Sequence, residues 1–249
     1  MESQFSTRIP HIIHQTWKTQ DIPSKWIPYQ ASWQKFHPDW KYRFTTDEDN
    51  RKFFAEFYPE FLSIYDAYPL DINRAELYRY FAVYHHGGIY VDMDFEALRP
   101  MDELLRDQQI LFGYEPASHH SPFMIQTRGL SQVVCNAFLA SVPHHPFWEY
   151  LQRLLVENQH APTLFDQTSC YLLTRACNSY AEPSQVTILP PEYLYPIDHH
   201  QNRLITTRDQ ILARVTPQTY AIHHWTGSWW RDALFESTRR RILEAKQKK

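Results

Sequence analysis

The sequence predicts an α/β fold, and three observations carry that prediction. A short β-branched run near the N-terminus and an alternating run at residues 40–44 read as strands, the second followed by a capped helix. An amphipathic helix ending in Gly87-Gly88 leads straight into an apolar strand. The length of 249 residues lies near the upper end of what one hydrophobic core supports, so the whole chain, 1–249, is expected to form a single domain.

Ile9-Pro10-His11-Ile12-Ile13-His14 is β-branched and proline-led, which suits the start of a buried strand running into Gln15-Thr16-Trp17. Trp40 to Phe44 alternates as a second strand, and Thr46-Asp47 caps an aromatic helix from Glu48 to Tyr58. Between Asp71 and His86, the residues Leu77, Tyr80, Phe81 and Tyr84 recur at helical spacing. Ile89 to Phe95 then reads as a strand. Its alternation sends Tyr90, Asp92 and Asp94 to one face and Ile89, Val91, Met93 and Phe95 to the other. Further helices are expected at Asp102–Arg106, around Gln132–Leu139, at Phe147–Asn158 and at Asp166–Cys177. Prolines 183, 190, 191 and 196 mark a loop-rich stretch, Thr219–His224 a last strand, and about 231–249 a basic C-terminal helix.

A net charge of −3 gives no broad positive footprint for nucleic acid, so an anionic ligand must be held locally. Aromatic residues make up 16% of the chain, enough to supply stacking surfaces. Three cysteines cannot all pair within one chain and form no CxxC, which suits free thiols in a reducing compartment. Without a run of about 20 apolar residues or a signal-like N-terminus, the expectation is a cytoplasmic protein. The tail from Arg239 to Lys249 could add weak attraction to an anionic membrane surface, though a solvated helix end explains it as well.

Asp92-Met93-Asp94 is the sharpest chemical feature. Two carboxylates about 7 Å apart on one strand face repel by roughly 2 to 3 kcal/mol at an effective dielectric of 20, and a divalent cation is the natural compensator. Hard oxygen ligands suit Mg²⁺ or Mn²⁺, and in open α/β sheets ligands gather beyond the carboxyl ends of the strands. A bare DxD also fits a solvated turn. Its context is a helix carrying Glu76 and Arg79, which fit either a site or a simple i,i+3 salt bridge. The five glycines form neither GxGxxG nor a Walker loop, and the 14 histidines form no HExxH zinc motif.

Arg74-Ala-Glu-Leu-Tyr-Arg-Tyr followed by His86-Gly-Gly-Ile-Tyr-Val-Asp-Met-Asp resembles the DXD sugar-transferase family, glycosyltransferase family 32. That family includes fungal α-1,6-mannosyltransferases, α-1,4-galactosyltransferases and bacterial capsular polysaccharide enzymes, and it shares core motifs with clostridial glucosylating toxins. Ile9-Pro-His-Ile-Ile-His-Gln-Thr-Trp looks like its opening strand, and Tyr220-Ala-Ile-His-His-Trp-Thr-Gly-Ser-Trp like its closing motif. The resemblance implies a GT-A fold, a single Rossmann-like mixed sheet flanked by helices. It also implies a nucleotide-sugar donor, UDP-sugar by preference with GDP-mannose open, a glycan or glycolipid acceptor, and retention of anomeric configuration.

By the same resemblance Trp17 would stack on the nucleobase, Asp92 would reach ribose and donor sugar, and Arg79 would contact sugar or phosphates. Asp94 would bind Mn²⁺ (or Mg²⁺) directly, joined by His223 and Asp92. Gln15, Glu76, Ser228 and Trp229 complete the expected donor contacts. On a strand His224 would face away from His223, but either could be the ligand. Two departures stand out: Glu76 where relatives carry Asp, and Asp166-Gln-Thr-Ser where many have a Thr-Gly-Pro turn. Asn136 is a candidate contact near the reacting carbon, or simply a helix-surface amide. A nucleotide-sugar hydrolase and a non-catalytic sugar-nucleotide sensor are the rival readings.

Overall fold

The computed structural model describes residues 8–119, 128–198 and 207–227. Ser228, Trp229 and the expected C-terminal helix lie outside the described residues. The chain runs β1 (Ile12–Trp17), α1 (Ile27–Phe36), β2 (Lys41–Thr46), α2 (Asp47–Phe57), α3 (Pro59–Ala67), α4 (Asp71–His86), β3 (Gly88–Val91) and β4 (Phe95–Ala97). It continues through β5 (Ile110–Tyr114), β6 (Val134–Ser141), α5 (Pro146–Glu157), α6 (Leu164–Gln167), α7 (Cys170–Ser179), β7 (Val186–Leu189), α8 (Arg208–Leu212) and β8 (Ala221–His223).

Six strands form a mixed sheet in the order β2-β1-β3-β6-β5-β7, with β6 antiparallel to both its neighbours. β4 and β8 pair separately as a two-stranded antiparallel ribbon. The sheet divides the core. Tyr90 and Leu139 pack with α2, α3, α4, α5 and α7 on one face, while Ile13, Ile89 and Val91 pack with Trp33 and Phe95 on the other. Burying both faces explains why β3 and β6 read as nearly continuous apolar runs.

Local chemistry explains the elements that matter most. Thr46 and Asp49 form a reciprocal capping box that starts α2. At Gly88 the backbone has φ +91°, and a Cβ there would lie 2.5 Å from the Ile12 carbonyl oxygen, so β3 docks on β1 only with glycine at this position. Trp33 donates from Nε1 to the Phe95 carbonyl at 2.8 Å, tying α1 to β4.

Helix 71–86 and its Gly-Gly cap form as expected, but other elements differ. The expected strand 89–95 stops at Val91, because Phe95 N–H bonds back to the Asp92 carbonyl at 3.0 Å and turns the chain. Asp92 and Asp94 therefore occupy a turn between β3 and β4, not one strand face. Residues 102–106 form turns rather than a helix. The segment 132–139 belongs to strand β6, whose ladders to β3 and β5 override its local helical pattern. The expected helix 166–177 breaks between Gln167 and Cys170. The first strand begins at Ile12 rather than Ile9. Cys135, Cys170 and Cys177 are buried and unpaired, with Cys170 and Cys177 in different apolar clusters. Among the described residues no helix is long and apolar enough to cross a membrane.

Candidate active site

Three strands deliver the site to one sheet edge. β1 ends at Trp17, β3 ends just before Asp92, and antiparallel β6 begins there with Cys135 and Asn136. α4 supplies Glu76 and Arg79 from one side. The end of β8 supplies His223 and the segment after it Thr226 from the other, because β8 pairs Phe95 with His223. Above this edge lies a cavity of about 450 Å³.

At its floor Asp92, Asp94 and His223 each present one ligand atom, all within 4.8 Å of one another, the single such group among the described residues. His223 Nε2 is 3.1 Å from Asp94 Oδ1. Thr226 donates both its backbone N–H and its hydroxyl to Asp94 Oδ2, each at 2.8 Å. Arg79 reaches Asp92 Oδ1 at 3.1 Å, donates to the Asn136 carbonyl at 2.8 Å and stacks its guanidinium 4.8 Å from the centre of the Tyr90 ring. Tyr90 also donates to Asp92 Oδ1 at 3.1 Å.

The electrostatics separate the two acids. Burial pushes Asp92 above the usual carboxylate range, opposed by Arg79 and reinforced by the Asp94 charge. At Asp94 burial acts the same way, but His223 and the two Thr226 hydrogen bonds overcome it and hold the group well below that range. Burial disfavours the His223 imidazolium, yet Asp94 and Asp92 together raise it above its ordinary value. Arg79 likewise stays above its usual value despite burial, held by Asp92, Tyr90 and Glu76.

His223 Nδ1 and Arg79 Nε are buried with no hydrogen-bond partner. Unsatisfied buried polar atoms of this kind are uncommon and call for an explanation. Two carboxylates and an imidazole beside an unsatisfied nitrogen fit a divalent cation of the Mn²⁺ type.

The expected residues are only partly brought together. Asp92, Asp94, His223, Arg79, Glu76 and Trp17 all face the cavity. Gln15 does not: it lies behind the edge, donating to the Asp92 carbonyl at 3.2 Å and accepting from Tyr42 at 2.6 Å, so it supports the turn instead of touching a ligand. His224 points away to Glu96 Oε2 at 2.9 Å and stacks on Tyr29. Glu76 and Arg79 do not form the simple helical pair. Glu76 accepts from Asn136 at 3.1 Å and from Thr168 at 2.6 Å, and burial raises its pKa. The two departures from the family pattern, Glu76 and Asp166-Gln-Thr-Ser, thus touch through Thr168. Asn136 is a buried strand residue, not a helix-surface amide. Thr226 was missed in the sequence, although Trp-Thr-Gly carried the signal: Trp225 at φ 47° and Gly227 at φ 59° make the turn that aims it.

Residues 23–111 match the family described as the glycosyltransferase sugar-binding region containing a DXD motif. Inositol phosphoceramide mannosyltransferase 2 of Schizosaccharomyces pombe is 41% identical over 151 residues, which is 60% of this chain and 39% of that protein. Inositol phosphoceramide mannosyltransferase 1 of the same yeast is 31% identical over 198 residues, 76% of this chain and 57% of that protein. The chain therefore spans between about two fifths and three fifths of the length of these two relatives. Among solved structures, PaToxG glycosyltransferase superposes with a TM-score of 0.52 at 17% identity, covering 72% of each chain, a likeness of fold. The matched region takes in the Asp92-Met93-Asp94 turn between β3 and β4, so residues 23–111 are similar to the DXD sugar-binding region of glycosyltransferases, and the chain has a GT-A fold.

Proposed function

We propose that the chain is a metal-dependent, retaining glycosyltransferase that moves a hexose from a nucleotide-sugar to a glycolipid or glycan. The observation that carries this reading is the meeting of Asp92, Asp94 and His223 within 4.8 Å at the floor of a cavity that also holds Arg79. The named activity of the yeast relatives favours mannose as the sugar and an inositol phosphoceramide as the acceptor. GDP-mannose becomes the first donor to test, ahead of the UDP-sugars favoured by sequence.

Asp94, His223 and Asp92 would hold Mn²⁺, or Mg²⁺ less well because imidazole is the softer ligand. Bound there, the ion supplies neutralisation of the charge that grows on the diphosphate leaving group. Arg79 contributes a fixed positive charge in a water-poor setting, where such preorganised charge is most effective. Glu76 and Asn136 offer polar atoms to the donor sugar, and the Trp17 indole offers a face to the base. In the reaction, the bond from the anomeric carbon to phosphate breaks as the bond to the acceptor oxygen forms on the same face. The acceptor's hydroxyl proton passes to the departing phosphate oxygen, leaving glycoside and nucleoside diphosphate.

The test is a binding panel of GDP, UDP and their sugars with and without Mn²⁺, followed by product analysis with inositol phosphoceramide vesicles. Mannosylated lipid formed only with Mn²⁺ and GDP-mannose is the expected result. Release of free mannose alone would replace the reading with a hydrolase. Binding with no product of either kind would replace it with a sensor.

A further inference from the structure

One wall of the cavity is left unexplained by the donor site. Strand order sets positions along the sheet edge: Trp17 on β1, Asp92 after β3, Cys135 and Asn136 on β6, then Glu115 just after β5. At about 4.8 Å per strand, Glu115 is displaced roughly 10 Å across the sheet from Asp92 and roughly 14 Å from Trp17. It is fixed there by its own N–H, which bonds to the Val133 carbonyl at 2.8 Å.

Glu115 does not stand alone. Its Oε2 is 3.4 Å from His119 Nδ1, and the two side chains are 10% and 4% exposed. Both line the cavity, as does Trp225. The Trp225 ring centre is 4.2 Å from that of His119 and 4.1 Å from that of His223, so a single indole joins this pair to the carboxylate–histidine cluster. Trp225 holds a left-handed backbone at φ 47° and is pinned by its Nε1 donating to the Ile197 carbonyl at 2.8 Å. Backbone strain on a bulky residue persists where the surroundings enforce it, commonly at functional sites.

We propose that Glu115, His119 and Trp225 form the acceptor subsite, binding a hydroxyl-bearing six-membered ring, pyranose or cyclitol; this rests on the transferase reading above. A carboxylate accepts from two neighbouring hydroxyls at once, an imidazole adds a further donor or acceptor, and an indole covers the C–H side of the ring. The spacing suits the role. Diphosphate and cation occupy the Asp94 end, the transferred hexose lies over β6, and the acceptor enters from the β5 side with only the indole between it and His223. Glu115 and His119 bind and orient the acceptor hydroxyls and take no covalent part.

The experiment titrates methyl α-mannoside and myo-inositol, as separate probes, into the chain loaded with GDP and Mg²⁺, using ligand-observed NMR. Glu115→Gln keeps the shape but removes the charge. It is expected to weaken at least one probe by roughly ten-fold or more, the scale of a hydrogen bond to a charged group, while GDP affinity is retained. His119→Asn should weaken the same probe, which serves as a second line if Glu115→Gln folds poorly. Unchanged probe affinity in the folded variants, an equal loss of GDP affinity, or no probe binding to the wild-type chain would each overturn the subsite. A wild-type chain that binds a probe through Glu115 yet transfers no sugar from GDP-mannose would sink the transferase reading separately.

Discussion

His223 Nε2 approaches Asp94 Oδ1 to 3.1 Å across 129 positions of sequence, and Thr226 closes over the other carboxylate oxygen. The proposed cation site is thus assembled from the turn between β3 and β4 and from strand β8, well over a hundred positions later. It forms only when β8 pairs with β4.

Removing a ligand from this cluster should therefore separate metal binding from folding. Asp94→Asn and His223→Ala are each expected to reduce Mn²⁺ affinity by ten-fold or more, on the scale of about 1.4 kcal/mol per ten-fold. His224→Ala, one residue on, loses its Glu96 contact and the Tyr29 stack, so it should lower thermal stability without that loss of affinity. Mn²⁺ titrations in the presence of GDP check the pair, and a larger affinity loss for His224→Ala would contradict the arrangement.

Trp17 offers a second test. It lies at the β1 end of the cavity, packed edge-on against Trp26 with ring centres 4.3 Å apart. Base–aromatic stacking is worth about 1 to 3 kcal/mol in nucleic-acid complexes, so Trp17→Ala should weaken nucleoside diphosphate binding roughly five-fold to a hundred-fold. Calorimetry with GDP and UDP reads this directly. Unchanged affinity in a folded variant would assign the indole to packing alone.

The α4 helix, its Gly-Gly stop and the DxD were legible in the sequence because each has a local physical signature: a 3.6-residue period, a residue without Cβ, and paired charges after an apolar run. Strand β6 was not legible, since Gln132–Leu139 has no alternation; its identity comes from being buried between β3 and β5. The same reason hid Glu115 and the strand setting of Asn136, since the places of both depend on strand order. Proximity in a motif does not say which face a side chain takes, and that of Gln15 lies behind the sheet edge against Tyr42 and the Asp92 carbonyl. His223 was found through family resemblance; strand alternation placed His223 and His224 on opposite faces without deciding which faced the acids.

Gly88 makes a prediction about folding rather than catalysis. Its φ of +91° and the 2.5 Å approach of an added Cβ to the Ile12 carbonyl oxygen leave Gly88→Ala no easy accommodation, since the obstacle is backbone. Strain and overpacking each cost about 1 to 3 kcal/mol, so a loss on the order of 3 kcal/mol is expected. Gly129→Ala also sits at positive φ, +66°, but in open space, and should cost less. Urea denaturation of the two variants compares them, and equal midpoints would refute the steric argument.

The last prediction concerns acid sensitivity away from the site. His14 on β1 is fully buried, its Nε2 2.9 Å from the Gly87 carbonyl oxygen, with His86 stacked nearby and Arg43 and Lys41 on the neighbouring strand. Burial above all, with help from those two cations and against the Gly87 hydrogen bond, lowers its pKa from 6.5 to about 4. The unfolded chain therefore takes up a proton near pH 6.5 that the folded chain refuses until about pH 4. In that window the unfolded state binds more protons, so stability falls as pH falls, by at most about 1.4 kcal/mol per pH unit for one group. Below pH 4 both states are protonated at His14 and its contribution levels off. His86, lowered to about 3 mainly by burial, extends the same trend to lower pH. His14→Gln should flatten the stability profile between pH 6.5 and 4 relative to the wild-type chain. Parallel profiles from urea denaturation across that range would show that His14 is not the group responsible.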